Sequence, residues 1–257
     1  MSIADAALVA VAGFGAGAVN AAAGGGTLLS FPALLAAGVP ALTANITSSV
    51  GLLAGYAGGS VAYRRELAGQ RRRVGVLGIA GLVGGVVGAV LLLVTPAKAF
   101  RAVVPFLLLT ACALLLAQPR VAAWVRRRRG EQPHSSEAAD EVRLPVAAVI
   151  GLLTIYGSYF GAGLGVVLLA ALGITLDDGL QRLNALKGLL SLIVNAAGVA
   201  VFLVSGRVDW GYALLLAITS FAGGHLGVGL ARRLSAQVLR VGVVTLGVLV
   251  AVVLFLR

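Results

Sequence analysis

The side chain best placed to do chemistry in this sequence is Lys187, because of what surrounds it. It sits in LNALKGLLSLIVNAAG, an otherwise apolar run. If its helix begins near Gly179, Lys187 lies about 12 Å along the axis at ~1.5 Å per residue, against a hydrocarbon half-thickness of about 15 Å. A charge at that depth costs ~2.5–3.5 kcal/mol or more. Either the ammonium snorkels to the interface on its flexible stem, or it serves something negative that passes. Asn184, Ser191 and Asn195 share its run, and the first half holds a comparable set in Asn20, Thr27, Thr43, Asn45, Thr47, Ser48 and Ser49. Amides there could bond between helices, and hydroxyls could bond back to carbonyls a turn earlier. The same groups could solvate an anion.

Other chemistries lack their residues. There is no Walker lysine, HExxH or GxSxG, and GFGAG and GAGLG follow no strand. No nucleophile has a base or a carboxylate pair beside it. Cys112 is the only cysteine, so no internal disulfide can form. We expect no enzyme, no cofactor and no metal. His225 reads as structural, Asp177 and Asp178 as N-caps of the helix that follows, and Arg182 as a snorkelling residue.

The elements that must position these side chains are membrane helices. Of 257 residues 60% are hydrophobic and only 11% charged, where a soluble domain carries about 25% charged. Apolar runs recur at lengths sufficient to cross a core of about 30 Å, and without strand-like alternation they must be helices. The net charge of +11 gathers in joints, at Arg64, Arg65 and Arg71 to Arg73, and at Arg126 to Arg129. Such loops report orientation, and no nucleic-acid partner is expected. The N-terminus lacks a basic signal-peptide region, so the first helix should be retained.

The apolar segments run at 5–23, 27–38, 41–62, 74–94 and 99–117, then, past a polar interval at 118–143, at 144–161, 165–175, 180–204, 211–231 and 236–256. The segments 27–38 and 165–175 are too short to span, and each follows a glycine break. The fold class is therefore an all-α polytopic membrane protein of about eight transmembrane helices. These form two four-helix repeats, each with a glycine-broken or re-entrant half-helix. The units are 1–117, a cytoplasmic basic loop at 118–143, and 144–257. A shift of 139 residues superposes Gly24 on Gly163, Gly26 on Gly165, Asn45 on Asn184, Gly59 on Gly198, Gly84 on Gly223, Gly88 on Gly227 and Arg101 on Arg240. Four crossings per half would put both termini in the cytoplasm with the 63–73 and 118–143 loops, although Arg232 and Arg233 would then lie outside. Glycines at intervals of four, as at Gly51, Gly55 and Gly59 or at Gly157, Gly161 and Gly165, suit close helix packing within the chain or in a homodimer. The consecutive Gly24, Gly25 and Gly26 do not fit that pattern.

The stretch NAAAGGGTLLSFPALLAAGVPALTANITSSVGLLAGYAGGSVAYRREL is similar to the first repeat of the TauE/SafE sulfite-exporter family, also called the toluene sulfonate uptake permeases. GAGLG, LNALKGLLSLIVNAAGVAVFLVSGRVDW and GGHLGVGLARRL resemble its second repeat, including Lys187 and Asn195. The likeness runs from about residue 10 to residue 250. It departs at Ala171, where the family often has proline. The resemblance implies a bacterial inner-membrane secondary transporter of sulfite, sulfonates or related organosulfur anions, with other organic anions carried by some members.

Our own reading of the residues adds a mechanism. Internal repeats with broken helices are typical of secondary transporters with a mid-membrane site, and a helix N-terminus offers free N–H groups and about half a positive charge. The candidate binding residues are Asn20, Gly24, Gly25, Gly26, Thr27, Asn45, Thr47, Ser48, Gly163, Gly165, Asn184, Lys187 and Asn195. They would bind a small anion in the lipid bilayer, with proton or ion coupling open, while one repeat rocks against the other. A passive anion channel, a small organic-acid permease, and a non-transporting assembly factor or sensor are the rival functions.

Overall fold

The computed structural model describes residues 2–22, 24–129, 142, 144–231 and 236–256. The described residues form ten α-helices: α1 (Ile3–Ala22), α2 (Thr27–Ala36), α3 (Ala41–Ala62), α4 (Arg71–Val94), α5 (Ala97–Arg129), α6 (Leu144–Tyr159), α7 (Leu164–Thr175), α8 (Leu180–Leu203), α9 (Trp210–Ala231) and α10 (Ala236–Phe255). Leu180 follows Ala41, Trp210 follows Arg71 and Ala236 follows Ala97, each by 139 residues. The spacing seen in the sequence is thus repeated in the helices. By length and composition, α1, α4, α5 and α8 can each cross a membrane. The chain is a helical polytopic membrane protein. The short α2 and α7, of 10 and 12 residues, rise only about 15–18 Å.

Helix α4 shows why these sequences suit lipid. Ile79, Leu82, Val83, Val86 and Val90 face outward, while Gly81, Gly84, Gly85 and Gly88 are buried. Lipid tails are as apolar as leucine, so large side chains gain nothing by turning inward. Small residues inside let backbones approach. A Cβ on Gly84 would stand 2.4 Å from the Gly151 carbonyl oxygen, and one on Gly55 would stand 3.1 Å from that of Ser220.

The two halves are inverted. The connection after α3 bonds to the start of α8, where Arg182 Nη1 donates to the Ala68 carbonyl (3.0 Å) and Gln70 Nε2 to the Arg182 carbonyl (3.2 Å). The connection after α8 bonds near the start of α3, where the Asp209 N–H donates to Thr47 Oγ1 (3.0 Å). Helices α3 and α8 are therefore antiparallel. So are α5 and α10, with Gln118 bonded to Arg240 and Phe106 packed on Phe255. An inverted second half requires an odd number of passes in each half. This corrects the count of four crossings: α2 and α7 are too short to cross and fold back as arms of hairpins.

The halves also interlock. α9 packs on α1 and α3, and α4 packs on α6 and α8. Each repeat's fourth helix thus completes a three-helix bundle begun by the other repeat. Moving the sequence halves as rigid bodies would separate the α1–α9 and α4–α6 faces.

Helix α5 continues through Pro119 to Arg129, past the expected end at 117. The cause is packing: Val125 is fully buried and Val121 and Ala122 lie against the same cluster. The rest of the expected basic loop, 130–141 and 143, lies outside the described residues, as do Arg232 and Arg233.

Candidate functional site

Each glycine break is the turn of a hairpin. Asn20 Oδ1 accepts the Gly26 N–H (2.7 Å), and a Cβ on Gly26 would meet the Ala16 carbonyl oxygen at 2.3 Å. Helix α2 therefore folds back along α1. In the second repeat Tyr156 Oη donates to the Ala162 carbonyl (2.5 Å), and Gly157 lies under the Leu164 side chain. Gly24 (φ +79°) and Gly163 (φ +81°) adopt the left-handed backbone that favours glycine. The two tips touch: a Cβ on Gly24 would lie 2.5 Å from Gly165 Cα. Gly161 and Gly165 therefore belong to the second tip and not to a helix-packing stripe.

Beside the tips is a cavity whose polar lining is Thr27, Ser49, Tyr56, Ser191 and Asn195, and whose apolar lining is Leu52, Leu164, Val194, Gly157 and Gly161. Thr27 and Leu164 are the first residues of α2 and α7, so both short helices open on it. The 139-residue spacing pairs Leu52 with Ser191 and Tyr56 with Asn195, so two repeat-related pairs line the cavity. Across it Asn195 Nδ2 donates to the Ser49 carbonyl (3.2 Å).

One polar stripe leads from the cavity along α8. Asn184, Lys187, Ser191 and Asn195 follow at intervals of three, four and four, so they share a helix face. Ser191 Oγ donates to the Lys187 carbonyl (2.9 Å), and Lys187 Nζ to Asn184 Oδ1 (3.2 Å). Lys187 is 2% exposed. Among the described residues, no salt bridge to it is found. It is a buried ammonium whose one recorded hydrogen-bond partner is neutral.

The remaining expected site residues divide. Asn20 and Asn45 are buried near the tips. Asn45 Nδ2 donates to the Tyr159 carbonyl (2.9 Å), while Asn20 Nδ2 and Asn45 Oδ1 have no partner among the described residues. Gly25 packs toward Leu115 and Gly163 toward Leu114, so these two support the tips from α5. Ser48 turns away to Ser30, their hydroxyl oxygens 2.6 Å apart. Thr47 holds the connection before α9. Neither of these two lines the cavity.

The sequence reading missed Tyr56, placed in what looked like a glycine packing run, and it left Ser191 out of the candidate binding residues although it noted Ser191 in the Lys187 run. The repeat register was the available signal, since it pairs both with cavity positions. It also misread Asp178. The residue preceding α8 is Gly179, with no side-chain cap. Asp178 Oδ2 instead accepts from Arg73 Nη1 (2.5 Å) and Arg182 Nε (2.9 Å), with Arg73 and Asp178 both buried. Nothing in the spacing of residues 73 and 178 announces that pair.

Residues 9–254 match a family model described as sulfite exporter TauE/SafE. The chain belongs to the TauE/SafE family. Similar family members include the probable membrane transporter protein ORF9 of a Sinorhizobium species, 26% identical over 242 residues, covering 94% of this chain and 89% of that protein. A probable membrane transporter protein of Haemophilus influenzae is 27% identical, covering 84% and 80%. The probable membrane transporter protein YfcA of Escherichia coli K12 is 26% identical, covering 82% and 75%. TauE/SafE membership and these relatives make the chain a membrane transporter of this type.

Proposed function

We propose that this transporter carries a small anion of the sulfite or sulfonate kind across a bacterial inner membrane, by alternating access at the cavity between the hairpin tips. The observation that carries the reading is Lys187. A buried cation without a carboxylate is costly unless a negative partner visits it. Its stripe leads directly to the hydroxyl and amide groups of Ser49, Ser191, Asn195 and Thr27. Neutral donors with a single cation bind an anion and still release it.

The interlocked helices redefine what could move. The bodies that rock are the α1–α3–α9 and α4–α6–α8 bundles, sliding at the α3–α8 crossing where Ser49 meets Asn195. The basic ends of α3 and α5, with exposed Arg64, Arg65 and Arg126 to Arg128, lie at one end of the molecule and face the cytoplasm. In the inverted arrangement both termini lie at the opposite end, outside, and this replaces the cytoplasmic placement derived from four crossings.

The test is uptake by the purified protein in liposomes, offered sulfite, sulfonates and small carboxylates. Saturable uptake that shows counterflow, and that is lost in Lys187→Met while the protein inserts normally, is the expected result. Flux without saturation would mark a passive channel, and unchanged uptake by Lys187→Met would remove the lysine from the mechanism.

A further inference from the structure

We infer that the site is built for an anion of one negative charge and discriminates against dianions. This inference rests on the anion-transport reading above.

The argument is a charge count. Among the described residues the buried charged side chains are Arg73, Asp178 and Lys187. Arg73 and Asp178 neutralise each other, and Arg182, which shares Asp178, reaches the surface with 28% of its side chain exposed. Among the described residues, one full positive charge remains inside, on Lys187. The helix ends add little to it. Their partial charge resides in unsatisfied N–H groups, and here most of those are already bonded. The Gly26 N–H is taken by Asn20 Oδ1. The N–H groups of Leu28 and Leu29 donate to the Gly25 and Gly26 carbonyls, and those of Leu164 and Val166 to Gly161 and Gly163. A monoanion therefore makes the loaded interior neutral. A dianion leaves one uncompensated negative charge in a low-dielectric core, which is heavily penalised.

Size is kept apart from charge by comparing methanesulfonate with sulfate. The two are similar tetrahedral anions, and neither changes charge between about pH 5 and 9. In liposomes containing the full chain, in mildly acidic medium where sulfite is mainly the monoanion hydrogensulfite, methanesulfonate is expected to enter, or to inhibit sulfite uptake, at least ~10-fold better than sulfate, a difference of about 1.4 kcal/mol. Formate against oxalate should show the same order. Lys187→Met should abolish uptake of the monoanions, and Lys187→Arg, which keeps the charge, should retain the preference. Sulfate handled as well as methanesulfonate would overturn the inference and leave anion transport standing. Failure of every anion in both sets would overturn the transport reading and this inference with it.

Discussion

Gly24 and Gly165 meet backbone against backbone. A Cβ on the first would stand 2.5 Å from the Cα of the second. They belong to different repeats, so this contact joins the tips of the two hairpins and fixes how closely the halves approach beside the cavity. Triple glycine is thus a place where backbone meets backbone, with the polar groups of the cavity beside it.

Gly24→Ala should therefore be damaging. Its left-handed φ costs a non-glycine residue about 1–2 kcal/mol, and the methyl group must also displace Gly165. We expect a lower melting temperature in detergent and loss of uptake. Gly38→Ala is the control: it has the same kind of φ (+83°) but open space around it, so it should show only the backbone cost.

Because α9 completes the α1–α3 bundle and α4 completes the α6–α8 bundle, neither half should fold alone. Residues 1–129 and 142–257 expressed separately should be degraded. Coexpressed, they should copurify and melt cooperatively. A stable, monodisperse first half would show that the crossed interfaces are dispensable.

Asp178→Asn should destabilise the protein by about 3–5 kcal/mol, because it removes the carboxylate from a buried ion pair. The double variant Arg73→Met, Asp178→Leu removes both charges and should recover most of that loss. Thermal unfolding of the three proteins measures the difference. Equal damage from the single and double variants would mean the pair acts through something other than its charge.

Reporter fusions after Leu256 and within residues 64–69 should report opposite sides of the membrane, with the 64–69 fusion cytoplasmic. Single cysteines at those places, in a Cys112→Ser background, give the same information by labelling with an impermeant reagent. Labelling of both from one side would contradict the inverted arrangement.

Much of the architecture was legible in the order of residues. Long apolar runs fix helices, because a lipid-exposed backbone must bond to itself. The glycine clusters mark the breaks, and the register of 139 residues recurs in the starts of α3 and α8, α4 and α9, and α5 and α10. Lys187 stood out for the same reason, since an isolated charge in an apolar run is costly wherever its helix packs. Parallel or inverted halves were not legible. An apolar helix reads alike in either direction, and only the bonds of Arg182 to Ala68 and of Asp209 to Thr47 decide it. The extension of α5 past 117 likewise depends on Val125 finding the core.

The sequence by itself determined the solvent this protein inhabits, its helices, its repeat and its one exceptional charge, because each follows from local composition and from the energetics of burial in lipid. The tertiary structure alone decided that Gly24 faces Gly165, that Tyr56 and Ser191 line the cavity while Thr47 and Ser48 do not, and that Arg73 belongs to Asp178. Those outcomes depend on how helices distant in sequence are oriented and interleaved. Close packing between glycine faces selects that arrangement, and no single segment encodes it.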